Sequence, residues 1–158
     1  MNKVINEKQA TQLSKDLRNK NQKIVLVGGC FDILHVGHVR FLKKAKEFGT
    51  IFVLLESDES IKKLKGEKRP FNGIKERAEI LSSFSFVDYV IEMKGIKNNE
   101  DYDKIITRIA PDFIAITKGD EAKFIKQKQA MSVKARIIEI PNTKNRSSSR
   151  IQKLMEEY

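Results

Sequence analysis

Residues 23–49 read KIVLVGGCFDILHVGHVRFLKKAKEFG, and the change of period inside this stretch decides the fold. KIVLVGG is a compact β-branched run closing on two glycines, the pattern of a strand buried on both faces. VGHVRFLKKAKEFG places Leu42, Ala45 and Phe48 on one helical face, with Gly49 as the stop. Between them lie Gly28, Gly29, Cys30, Phe31, Asp32, His35, Gly37 and His38. The chain has only two histidines, and both stand here, three residues apart.

The same alternation continues outward. Upstream, Ala10, Leu13 and Leu17 keep helical spacing, so residues 7–20 are expected as a leading helix and residues 1–22 as that helix with its connection. Downstream, TIFVLLES, VDYVIEM, DFIAIT and ARIIEI read as buried strands. DESIKKL, IKERAEILSSF, NEDYDKIITRIA, DEAKFIKQKQAM and SSSRIQKLMEEY read as helices, and KGEKRPFNG as a loop. Strands without polar alternation, separated by amphipathic helices, imply a parallel sheet covered on both faces. The expected fold is α/β, a single doubly wound Rossmann-like domain over 1–158 with a five-stranded parallel sheet. Its ligands would sit at the carboxyl ends of the strands.

Bulk composition narrows the function. A chain of 158 residues, 40% apolar and 33% charged, suits one soluble domain. No apolar run approaches the roughly 20 residues of a membrane span, and the first residues lack the apolar centre of a secretion signal. The lone Cys30 excludes an intrachain disulfide, and the cytoplasm is the expected location. The 31 Lys+Arg against 21 Asp+Glu give a net charge of +10, which favours anionic partners. Basic runs do not interleave with aromatics, so nucleic acid is disfavoured against a phosphorylated small molecule.

The loops that follow strands hold the donors a polyphosphate needs. A helix opening near Val36 would put His35 and His38 about one turn apart at its N-terminus, where backbone N–H groups and the helix dipole favour an anion. Gly37 would leave room for close approach, and two imidazole N–H groups could grip one phosphoryl group as its charge redistributes. A zinc site lacks a completing ligand set, so no protein-bound metal is expected. Other loops add Lys65, Lys68 and Arg69, then Lys118, Gly119 and Asp120, then Asn142 to Ser149.

GCFDILHVGH resembles the signature of the nucleotidylyltransferase superfamily with an H-x-G-H motif, in its cytidylyltransferase-like branch. LKGEKRPFNGIKERAEIL, VDYVI, PDFIAITKGD and RSSSRI follow in the family's order, so the resemblance spans nearly the whole chain. Its motifs are most similar to those of the adenylyltransferase domain of the ADP-heptose synthases. That resemblance implies transfer of AMP from ATP to a sugar 1-phosphate such as heptose 1-phosphate, with release of pyrophosphate. The kinase half that often accompanies the heptose enzymes is not expected in these residues.

The resemblance also implies roles. His35, His38 and Lys65 would be catalytic. Gly29, Cys30, Phe31, Gly37, Lys118, Gly119, Asp120, Ser147, Ser148 and Ser149 would meet the nucleotide, one of the serines also capping the last helix. Asp32, Arg69 and Arg77 would meet the acceptor. Magnesium would arrive with ATP, and a homodimer is expected from relatives. Asn142-Thr143 stands where glycerol phosphate cytidylyltransferases have Arg-Thr, which disfavours CTP. A cytidylyltransferase of that type or an FAD synthase remains an alternative. So does a nucleotide- or RNA-binding protein that retains the fold. AMSVK, residues 130–134, resembles the Lys-Met-Ser-Lys-Ser loop of class I aminoacyl-tRNA synthetases but lacks its leading lysine; the end of a surface helix is expected there.

Overall fold

The computed structural model of the protein describes residues 2–96, 98–143, 151 and 153. Its elements run β1 (Val4–Ile5), α1 (Glu7–Asn19), β2 (Ile24–Gly29), α2 (Val36–Lys46), β3 (Thr50–Leu55), α3 (Asp58–Lys65), α4 (Ile74–Ser82), β4 (Tyr89–Glu92), α5 (Asn99–Ile109), β5 (Phe113–Thr117), α6 (Lys123–Ser132) and β6 (Arg136–Ile140). The helix expected over 147–158 lies outside the described residues, apart from Ile151 and Lys153, which are helical.

The sheet is parallel throughout, in the order β1-β4-β3-β2-β5-β6. It has six strands rather than five. The extra one is β1, which pairs Val4 with Val90 and Ile5 with Ile91 at the edge. Two residues carry no period, so only pairing with β4 makes Val4-Ile5 a strand.

Period two inside the strands divides the core. Val25 and Val27 of β2 join Ile51, Val53 and Leu55 of β3 and face Leu42 and Ala45 of α2 and Ala78 and Leu81 of α4. Ile24, Leu26, Phe52 and Leu54 point the other way, with Ala10 of α1, Ile105 and Ile109 of α5 and Ala130 of α6. Each fully buried Val, Ile or Leu contributes roughly 1.5–3 kcal/mol, and burial on both faces is why these strands read as continuous apolar runs.

Local chemistry sets the helix ends. The Asn6 side chain caps α1 and exchanges hydrogen bonds with Gln9, while Ser57 and Asn98 cap α3 and α5. Before Pro111, Ala110 ends α5 in the left-handed conformation. Helix α6 opens at Lys123 rather than Asp120, because Asp120 Oδ1 accepts the Ala122 N–H at 2.8 Å and shapes a turn there. α6 ends at Ser132, and Met131 is exposed, so AMSVK does lie at the end of a surface helix.

The consequence for function is a crevice. β2 neighbours β3 on one side and β5 on the other. The chain leaving β2 enters α2 on one face of the sheet, and the chain leaving β5 enters α6 on the opposite face. At such a switch point the connections diverge, and the carboxyl ends of the two strands are left open to a ligand.

Candidate active site

A cleft of about 370 Å³ occupies that crevice. It is lined from β2 and its loop by Gly29, Cys30 and Phe31, and from the start of α2 by His35, Gly37 and His38. Lys65 reaches it from the end of α3; Lys118, Gly119 and Asp120 line it after β5. All of these residues were expected at the nucleotide or the reaction centre. Gly28, Phe41, the 115–117 end of β5, Lys126, Pro141, Asn142 and Thr143 complete the lining among the described residues. Ser147, Ser148 and Ser149 lie outside the described residues.

The two histidines form a reciprocal cap. His35 is the N-cap of α2, and its Nδ1 accepts the Gly37 N–H at 3.1 Å. Three residues on, His38 Nδ1 accepts the His35 N–H at 3.4 Å. The His38 N–H is itself bonded to the His35 carbonyl at 3.0 Å. The His35, Gly37 and His38 backbone donors are thus engaged within the helix terminus. A neutral imidazole that accepts at Nδ1 carries its proton on Nε2, so each ring presents a donor on the edge away from the helix. The ring centroids lie 3.9 Å apart.

Burial pushes the His38 imidazole down to about 4, and His35 and Lys65 add to the effect. At neutral pH His38 is uncharged, a donor without a formal positive charge. The positive charge of the cleft comes from lysines instead. Lys65 and Lys118 are exposed and make no ion pair with a carboxylate among the described residues. Lys126 was not anticipated; it pairs with Asp120 Oδ2 at 2.7 Å. A lysine midway along an amphipathic helix carries no sequence signal for a cleft.

Two of the cleft glycines make room for aromatic rings. A Cβ on Gly37 would lie 2.8 Å from His35 Nδ1, so glycine is what lets the ring fold back over its own helix. A Cβ on Gly29 would meet the Phe31 ring at 2.9 Å. Phe31 has a φ of 45°, a costly conformation for a bulky residue. Its buried ring packs against His38 with centroids 5.3 Å apart. Burial also pushes the Cys30 thiol up, with Lys65 opposing. A protonated thiol makes Cys30 a wall residue rather than a nucleophile.

The three residues expected at the acceptor are placed differently. Asp32, Arg69 and Arg77 are buried and absent from the cleft wall. Asp32 accepts from Arg69 Nε at 2.6 Å, Phe71 N at 2.9 Å and Asn72 N at 2.9 Å, which fastens the 66–73 loop to the β2 loop. Burial alone would raise its carboxyl; the Asn72 and Phe71 N–H groups and Arg69 outweigh that and hold it low. Arg77 has no exposed surface. It donates to Asn72 O at 3.0 Å, Cys30 O at 2.6 Å, Glu56 O at 2.8 Å and Asp58 Oδ1 at 2.6 Å. A guanidinium with four acceptors in place ties the loops behind the site and does not reach into it.

Among the described residues the wall holds one carboxylate, Asp120, engaged at both oxygens. No group of three or more His, Cys, Asp or Glu poised for a metal ion occurs among the described residues. The lysines and imidazoles of the lining suit an anion. No helix among the described residues is long and apolar enough to cross a membrane.

The chain is similar to known proteins in sequence and in fold. Bifunctional protein HldE of Haemophilus ducreyi is 37% identical over 121 residues, covering 76% of this chain and 24% of its own. Bifunctional protein HldE of Aliarcobacter butzleri is 52% identical over 81 residues, or 51% of this chain and 17% of its own. The chain thus spans about a quarter or less of the curated relatives it matches. Among solved structures, a lipopolysaccharide core biosynthesis protein from Thermoplasma volcanium superposes with a TM-score of 0.63 at 26% identity, over 77% of this chain and 98% of that one. Pantoate-beta-alanine ligase from Francisella tularensis gives a TM-score of 0.68 at 18% identity, over 97% of this chain and 76% of that one, a likeness of fold alone. The family model described as cytidylyltransferase-like matches residues 26–154, and the chain belongs to that family.

Proposed function

We propose that this protein is a nucleotidyltransferase that transfers AMP from ATP to a sugar 1-phosphate such as heptose 1-phosphate, releasing pyrophosphate. The reciprocal histidine cap carries the reading. It gives two imidazoles a fixed tautomer beside three lysines, at the one crevice this sheet order creates. The similarity to the bifunctional HldE proteins supports it.

The acceptor phosphate is already an anion near neutral pH, so the reaction needs no general base. One of its oxygens forms the new bond to the α-phosphorus while the bond to the bridging oxygen breaks, and that electron pair leaves with pyrophosphate. Little covalent work is left for the protein. Its part is alignment and charge stabilisation by donors already in position. His35 and His38 meet the phosphoryl oxygens, and Lys65 and Lys118 offset the charge of acceptor and leaving group. Magnesium comes with the nucleotide as its phosphate complex. Lys118-Gly119-Asp120 lines the cleft where β5 ends, and in this reading it meets the nucleotide. A single cysteine and a substrate such as ATP support a cytoplasmic reaction.

Pyrophosphate release from ATP and from CTP, each against a panel of sugar 1-phosphates and glycerol 3-phosphate, tests this directly. ATP with a sugar 1-phosphate is expected to be the active pair. ATP is also expected to raise the melting temperature more than CTP at equal concentration, following RT ln(1 + [L]/Kd). Pyrophosphate release confined to CTP would overturn the nucleotide assignment, and its absence with every pair would overturn the transferase.

A further inference from the structure

Phe31 is the one aromatic residue at positive φ among the described residues. At 45° it lies in the left-handed region, where glycine sits freely and a bulky side chain is strained. Such strain persists only where the surroundings enforce it. Here both neighbours are pinned. The Cys30 carbonyl accepts from Arg77 Nη1 at 2.6 Å, and the Asp32 carboxylate accepts from Arg69, Phe71 and Asn72. Gly29 leaves the space, since a Cβ there would lie 2.9 Å from the ring.

What the turn achieves is visible in where the ring goes. Phe31 is 5% exposed and joins the core of Val25, Val27 and Leu42, yet it also lines the cleft. Its ring meets His38 with centroids 5.3 Å apart and planes inclined by 56°, a favourable aromatic geometry. The His35 ring meets the same imidazole at 3.9 Å. Two rings thus bear on His38, and its Nδ1 is committed to the His35 N–H. The Nε2 edge is what remains for the cleft. A ring with so little exposed surface offers a nucleotide little to touch; its contact is with the imidazole.

We propose that Phe31 is a positioning residue that acts through His38: its ring, held in place by a strained backbone, fixes the imidazole and shields it from water. The assignment rests on the transferase reading above. It moves Phe31 from the nucleotide contact that the family resemblance implies to a support for the histidine.

Shielding has a chemical consequence. A protonated His38 would carry N–H on both nitrogens, lose its Nδ1 acceptor and release the His35 N–H, which undoes the reciprocal cap. Burial is the main cause that keeps this imidazole neutral, and His35 and Lys65 act in the same direction. Cys30, Lys118, Lys126 and Asp120 line the same cleft, with the Asp120 carboxylate already paired to Lys126.

The experiment compares wild type with Phe31→Gly, which removes the ring and suits the left-handed backbone. It reads the His38 titration by proton NMR, single-turnover kcat between pH 6 and 8, and thermal melts; His38→Asn assigns the two imidazole signals. In wild type His38 should stay neutral above pH 5.5, and in the variant its midpoint should move from about 4 toward the ordinary 6.5. At pH 8 the variant's kcat is expected to fall roughly 10–100-fold, as for a slightly misplaced group, with ATP affinity falling less. From pH 8 to pH 6 it should lose roughly threefold more relative to wild type, as the imidazole takes up a proton. Should Phe31→Gly not fold, Phe31→Leu, apolar but without the ring, carries the same comparison. A lower melting temperature with His38 midpoint and kcat per folded molecule unmoved would make Phe31 a packing residue and overturn the assignment. The titration needs no substrate, so an unmoved midpoint overturns the assignment whether or not the enzyme turns over. A wild type silent with every substrate pair would overturn the transferase instead.

Discussion

His35 and His38 hold each other in place: the backbone N–H of one donates to Nδ1 of the other at 3.4 Å, and their rings lie 3.9 Å apart between centroids. The cap that starts α2 is therefore also the device that fixes both tautomers. Structure and chemistry are joined in one pair of residues, and substitutions can separate them.

The separation follows from what asparagine keeps. Asn is a strong N-cap, so His35→Asn should preserve the start of α2 while losing the Nε2 donor. His35→Ala should lose both and cost about 1 kcal/mol of stability. Each variant, and His38→Ala, is expected to lower kcat by roughly 10²–10³, the usual loss of one preorganised donor. Nucleotide affinity should fall less than turnover. Single-turnover kinetics beside thermal melts check this. Full turnover per folded molecule in His35→Asn would leave the pair a cap and nothing more.

The depressed His38 imidazole makes stability depend on pH in a defined window. Its ordinary value is 6.5 and burial takes it to about 4. Between those values the unfolded chain binds a proton that the folded one does not, so stability falls as pH drops from 6.5 toward 4. Asp32, held below its usual 3.8, adds acid sensitivity only beneath that window. Urea unfolding at pH 7, 5.5 and 4.5 is expected to show the decline in wild type and a flatter profile in His38→Asn. Equal slopes in both would mean that His38 titrates normally.

Much of the site is legible because it is local. The glycines, both histidines and the turn after β5 sit where strands end, and alternation of strand and helix is enough to locate strand ends. What escaped depends on distance along the chain. β1 exists only because Val4 and Ile5 find Val90 and Ile91. Arg77 looks like a charge on an amphipathic helix, yet it is fully buried under carbonyls from residues 30, 56 and 72. Glu56 and Tyr102 meet across 46 positions, and nothing in either local sequence announces the other.

Arg77 is accordingly expected to act through stability. Removing it leaves half-exposed Asp58 and three carbonyls without this donor, and each buried acceptor left unsatisfied costs about 1–3 kcal/mol. Arg77→Lys should recover little, since an ammonium cannot span four acceptors in the plane of a guanidinium. Denaturant unfolding of Arg77→Lys and Arg77→Ala measures this. A fully stable variant with a raised acceptor KM would return Arg77 to the substrate.

Lys65 ends α3 just before Gly66, whose φ of 96° turns the chain into the loop fastened by Asp32. The side chain is exposed and lines the cleft without a carboxylate partner among the described residues, so its charge is uncommitted until phosphates arrive. An interaction that grows as pyrophosphate charge develops lowers the barrier more than it tightens binding. Lys65→Ala is therefore expected to reduce kcat by roughly 10²-fold while ATP affinity changes by less than about tenfold. Lys65→Arg should recover part of the turnover, because the charge returns on a wider, flatter head group. Stability should be unaffected, as no buried contact is lost. Pre-steady-state turnover and ATP titration on the same preparations distinguish the two effects. Equal losses in both would make Lys65 a binding residue alone, and unchanged turnover would leave it a solvated lysine at the mouth of the cleft.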